Sequence, residues 1–76
     1  MTEEEVKLRI EKGLSGAVAM AKDLKGDGRY FRVEVSCTEF SGKPLVAQHR
    51  MVQNLFSEEI ACDDMHALSI KTSVPE

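Results

Sequence analysis

The sequence predicts a mixed α/β (α+β) domain, in which a three-stranded mixed sheet carries its helices on one face. Three observations predict it. Arg29 to Cys37 alternates cleanly, with Phe31, Val33, Val35 and Cys37 on one side and Arg32, Glu34 and Ser36 on the other, the period of a half-buried strand. Leu45, Val52, Leu55, Phe56 and Ile60 then recur at spacings of three, four and seven, along one helical stripe. After the polar break Cys62-Asp63-Asp64 the period returns to two: His66, Leu68, Ile70 and Thr72 face one way, Ala67, Ser69 and Lys71 the other. A strand that follows a helix can lie parallel to a hairpin strand through a right-handed crossover, which makes the sheet mixed.

The elements before that unit follow from local chemistry. Thr2 and Glu5 have the spacing of a capping box, in which each side chain accepts the other's backbone N–H. Three acids in the first turn suit the positive end of the helix dipole. Val6, Ile10 and Leu14 form a narrow apolar stripe, and Gly13 and Gly16 bracket the helix end. Ala17 to Leu24 alternates weakly, Val18 and Met20 opposite Ala17, Ala19 and Ala21. Alanine favours helix in isolation. The turn cluster Lys25-Gly26-Asp27-Gly28 nevertheless ties this segment to the next strand, because Asp-Gly is a strong hairpin signal. Cys37 falls on the apolar face and reads as an inert buried thiol. Ser41-Gly42-Lys43-Pro44 is the turn that opens the second helix, and Pro75 closes the last strand.

Seventy-six residues make one domain, 1–76. A chain this short buries only about 60–65% of the surface it exposes when unfolded. With no Trp, aliphatic residues and Met must fill the core. The net charge of −3 weighs against tight nonspecific binding to nucleic acid. Two cysteines are too few for a disulfide framework and read as free thiols in a reducing compartment. No apolar run is long enough to span a bilayer, and MTEEEVKLRI resembles neither a signal nor a transit peptide. The expected setting is cytoplasmic and the expected state of the isolated chain monomeric, with no membrane association.

No catalytic constellation is present. Gly26-Asp27-Gly28 lacks the third glycine and following helix of a nucleotide loop, so an enzyme is not expected. His49 sits in the second helix beside Arg50, where an imidazole bonded to backbone or to a neighbouring acid is the expected role. His66 opens a strand after a loop that leaves its ring reachable, and Cys62 lies four residues earlier. A neutral imidazole and a thiolate are both good ligands for iron or zinc. Gly42-Lys43-Pro44 before a helix has the form of an anion-receiving helix start.

Taken together, FSGKPLVAQHRMV, then EEI, then MHALSIKT resemble the BolA family, and RYFRVEVSC matches its second strand. The resemblance runs from the first helix to the last strand. It implies a class II KH-like fold in the order α-β-β-α-α-β, often continued by a tryptophan and a final helix. It implies pairing with a monothiol glutaredoxin and a 2Fe–2S cluster shared with that partner and its glutathione, with no cofactor in the isolated protein. It places the family's cluster ligand at His66, while Cys62 is a second candidate from its place in the loop. Some members are linked to transcription and DNA binding, which makes Lys43, His49 and Arg50 the candidate nucleic-acid contacts. Members usually carry a further His or Cys at the loop between the first two strands. Here that loop is KGDGRY, and Tyr30 stands where many members have a His.

Overall fold

A computed structural model describes residues 1–62 and 64–75. The order is α1 (Glu3–Gly13), β1 (Val18–Asp23), β2 (Tyr30–Ser36), a 3-10 turn (Thr38–Phe40), α2 (Leu45–Gln53), a second 3-10 turn (Asn54–Phe56), α3 (Ser57–Ala61) and β3 (Ala67–Ser73). Strands β1 and β2 pair antiparallel and β2 and β3 parallel, in the spatial order β1-β2-β3. This is the mixed α+β sheet that the alternation and the crossover predict.

The capping box forms as expected. The Glu5 N–H donates to Thr2 Oγ1 at 3.1 Å and the Thr2 N–H to Glu5 Oε1 at 3.0 Å. Val6, Ile10 and Leu14 are buried. Gly13 closes α1 for a packing reason: a Cβ there would stand 2.4 Å from Leu55 Cδ2. The missing side chain lets the segment between α2 and α3 lie against the end of α1.

The hairpin is longer than a two-residue Asp-Gly turn. Its strands close at the Leu24 N–H, which donates to Tyr30 O at 2.8 Å. The loop is held from its first corner, where the Asp23 carboxylate accepts the N–H groups of Lys25, Gly26 and Gly28 at 3.3, 2.9 and 2.8 Å. Desolvation pushes this carboxyl up, but the N–H groups of Gly28, Gly26 and Lys25 outweigh it and hold the group below the usual carboxylate range.

Of the residues whose spacing predicts the core, Phe31, Val33, Val35, Val52 and Phe56 are buried, while Leu55, Leu68 and Ile70 are half-buried against them. Phe40, Cys37 and Met65 complete the cluster. Two members of the predicted helical stripe do not join: Leu45 and Ile60 are exposed. The helix is not continuous. Phe56 leaves it at φ −120°, ψ 18°, so α3 starts on a new axis and Ile60 turns away from the stripe. In β1 the small residue is the buried one. Ala19 is buried because α1 packs over this face of the strand, whereas Val18 and Met20, 65% and 67% exposed, lie on the open face of the sheet.

One buried polar side chain ties the second turn to the sheet. Gln48 Nε2 donates to Lys43 O at 2.7 Å and Phe40 O at 3.3 Å, and Gln48 Oε1 accepts from Thr72 Oγ1. Across the helices, Arg9 Nη1 donates to Leu55 O at 2.9 Å and to Glu59 Oε1 at 3.0 Å, while Arg9 Nη2 donates to Glu59 Oε2 at 2.9 Å. The guanidinium lies over the Phe56 ring, 5.5 Å from its centroid, so α1 orients α3 and the loop that leaves it.

Candidate functional site

The site is assembled where α3 hands the chain to β3. Met65 is buried and anchors the loop from below, its N–H donating to Glu59 O at 3.1 Å. The next residue, His66, is exposed. Its backbone is pinned to β2's approach: the N–H groups of His66 and Ala67 both donate to Arg29 O, at 2.7 and 3.2 Å. The parallel register pairs Tyr30 with Ala67, so the residue just before β3 must lie beside the start of β2. An exposed ring on a fixed backbone is what a ligand position requires.

That register brings Tyr30 to His66. The phenol oxygen lies 3.4 Å from Nδ1, and the ring centroids are 5.5 Å apart at an interplanar angle of 58°. Lys25 Nζ lies 4.0 Å from the Tyr30 ring centroid, a cation–π contact. From the sequence, Tyr30 is notable only for standing where many family members have a histidine. The signal that could have found the pair was the parallel pairing of the first residues of β2 and β3.

Cys62 caps α3 and is exposed, its Sγ directed to Glu59 O at 3.8 Å. Asp63, in the predicted polar break, lies outside the described residues. Cys37 is fully buried, with Sγ 3.5 Å from Ser15 O, as its place on the apolar face predicts. Lys43 and Arg50 are exposed and His49 is half-buried. The bonded imidazole expected at His49 is not observed: no hydrogen bond joins that ring to another described residue. The start of α2 has no side-chain cap, and its first two residues, Leu45 and Val46, are exposed apolar groups.

The comparison with known proteins follows the same outline. The BolA-like protein family model matches residues 6–76. The chain belongs to the BolA family. An uncharacterised protein of Rickettsia prowazekii is 37% identical over 73 residues, covering 95% of this chain and 94% of that one. Human BolA-like protein 3 is 35% identical over 81 residues, covering 99% of this chain and 74% of its own length. The solved BolA homologue from Coxiella burnetii superposes with a TM-score of 0.80 at 37% identity, covering 99% of this chain and 92% of that one.

In this BolA-like chain the donors at the candidate site are an imidazole, a phenol and, on the preceding helix end, a thiol. Nitrogen and sulfur donors of this kind suit iron or zinc. Among the described residues, no group of three or more His, Cys, Asp or Glu side chains converges to hold a metal ion. Among the described residues, no helix is long and apolar enough to cross a membrane.

Proposed function

We propose that this BolA-like chain is a non-enzymatic adaptor that docks a monothiol glutaredoxin and shares a 2Fe–2S cluster with it, His66 contributing an imidazole nitrogen. The observation that carries the reading is the exposed His66 ring on a backbone held by Arg29 O. The partner class comes from the family resemblance. The incomplete donor set supports sharing, since the remaining ligands would come from the partner's cysteine and its glutathione. A ligating histidine gives up one neutral nitrogen while its other ring nitrogen needs a neighbour to fix the ring. At His66 the neighbour at hand is the phenol of Tyr30.

A pull-down with a monothiol glutaredoxin, with cluster absorbance read on the eluted complex, tests the proposal. His66→Ala is expected to change the visible spectrum and to leave docking of the apo-protein largely intact. An unchanged spectrum and cluster lifetime would remove His66 from the ligand set. Cys62→Ala separates the two ligand schemes, because only a coordinating thiol alters the spectrum when removed. A nucleic-acid-binding regulator using Lys43, His49 and Arg50 ranks second. Exposure of Lys43 and Arg50 favours it, but the net charge of −3 works against phosphate.

A further inference from the structure

We infer that the outer edge of β3 is a docking edge for an acidic extended peptide, which adds to the sheet as a fourth strand. The inference goes beyond the adaptor reading and depends neither on His66 nor on a cluster.

The two edges of the sheet, β1 and β3, are treated differently. Just past β1 the Leu24 N–H donates inward to Tyr30 O. Because backbone groups alternate in direction along a strand, the odd-numbered residues of β1 send their N–H groups outward. Two of these are taken by α1: the Ala19 N–H donates to Glu11 Oε2 at 3.1 Å and the Asp23 N–H to Glu3 Oε2 at 2.8 Å. A strand approaching β1 must displace both carboxylates. Covering an edge with a helix in this way prevents unwanted pairing.

β3 has no such guard. The Ala67 N–H donates to Arg29 O, and Ser73 O accepts from the Cys37 N–H, so the odd-numbered residues of β3 face β2. The N–H and C=O groups of Leu68, Ile70 and Thr72 therefore point away from the sheet. Among the described residues, no backbone or side-chain group bonds them on that side. Leu68 and Ile70 are only half-buried, so an added strand with apolar residues at every second position covers them while its backbone completes the ladder.

Charge selects the occupant. Residues 41–57 and 65–75 hold α2 and β3, which pack together through the Gln48–Thr72 bond. They carry Lys43, Arg50 and Lys71 and no carboxylate side chain, in a chain whose net charge is −3. All three cations are exposed, and Lys71 reaches Glu34 only at 4.0 Å between two exposed side chains, a contact that solvent weakens. A second copy of β3 brings a further lysine to a side that is already positive. A nucleic acid has the charge but no row of amides at strand spacing. A peptide that alternates acidic and apolar residues supplies both.

The probe is a fluorescein-labelled peptide of sequence DVEIDVE, matched to the length of β3 and titrated against the full chain by anisotropy, with amide exchange read by NMR. The expected result is saturable binding that slows exchange at Leu68, Ile70 and Thr72, and that weakens at least about threefold in Lys71→Glu or on raising salt from about 0.1 to about 0.5 M. N-methylating one alternate set of peptide amides should weaken binding at least about tenfold, because those amides face β3, while methylating the other set should leave it within about twofold. Lys71 is exposed, so its variant keeps the fold, and the methylated peptides leave the protein unaltered. Absence of binding, equal effects of the two methylated sets, or slowed exchange confined to α2 would overturn the inference. So would a single-stranded oligonucleotide that protects the same three amides better than the peptide. A failed glutaredoxin pull-down removes the adaptor reading and leaves this one standing.

Discussion

Arg9 grips Glu59 with both terminal nitrogens, at 3.0 and 2.9 Å, and uses one of them again on the carbonyl of Leu55. The hydrogen bonds from Arg9 hold the Glu59 carboxyl below its ordinary range, and the same bonds raise the guanidinium above its own. A carboxyl depressed in the folded state stabilises the fold fully above its unfolded pKa and loses that contribution as pH falls through the folded value. Arg9→Gln should therefore cost about 0.5–1 kcal/mol at neutral pH, a modest figure because the Arg9 side chain is 39% exposed and solvent screens the pair. The difference from the parent should shrink below pH 4.5 as Glu59 protonates. Urea midpoints between pH 3 and pH 7 check it; a gap independent of pH would show that the pair contributes packing alone.

Phe56 and Leu68 test the core. Phe56 is fully buried beneath the Arg9 guanidinium, and Leu68 is half-buried on the helix-bearing face of β3. Phe56→Ala should cost about 3–5 kcal/mol, and Leu68→Ala about 1–2, because part of that side chain already meets water. Chemical denaturation measures both. Losses under about 0.5 kcal/mol at both sites would mean that the two side chains share no core.

Gly13 and Leu55 should be coupled. Alanine is preferred to glycine in a helix by about 1 kcal/mol, but here its Cβ would meet Leu55 Cδ2 at 2.4 Å. Displacing Leu55 from its rotamer costs about 0.5–1.5 kcal/mol, so Gly13→Ala alone should be neutral or destabilising. In the Leu55→Ala background the same change should stabilise by about 0.5–1 kcal/mol. A double-mutant cycle with no coupling would contradict the close approach.

Gln48 should matter more than its position on a surface helix suggests. It bonds Lys43 O, Phe40 O and the Thr72 hydroxyl. Gln48→Ala leaves these groups without their partner and should cost about 1–3 kcal/mol. The Lys43 N–H, which donates to Phe40 O at 3.1 Å, should then exchange faster with solvent. Unchanged exchange at Lys43 would show that the turn is held without Gln48.

Local pattern was enough for much of this molecule. The Thr2–Glu5 capping box is complete within four residues and forms as the sequence implies. The alternation through Phe31, Val33 and Val35 set the buried face of β2, because successive side chains on a strand must point oppositely. The period change after Cys62 located β3, and the motif around His66 pointed to the family.

Where the pattern misled, a contact distant in sequence decided the outcome. Ile60 keeps helical spacing with Phe56, yet the chain breaks its axis at Phe56 and exposes Ile60. Periodicity assumes one continuous axis, and only packing between α1 and α3 reveals two. Val18 and Met20 are larger than Ala19, yet the alanine is buried because α1 lies over β1. Tyr30 and His66 are 36 residues apart, and no periodicity links them. They meet because β3 pairs with β2 in parallel, in a register chosen by which apolar sets fit beneath the helices. Local pattern was enough to show which residues β2 turns inward and that His66 opens the approach to the last strand. Tertiary structure alone decided what stands beside that histidine, since strand register is settled by the packing of the whole core and is written in no single stretch of chain.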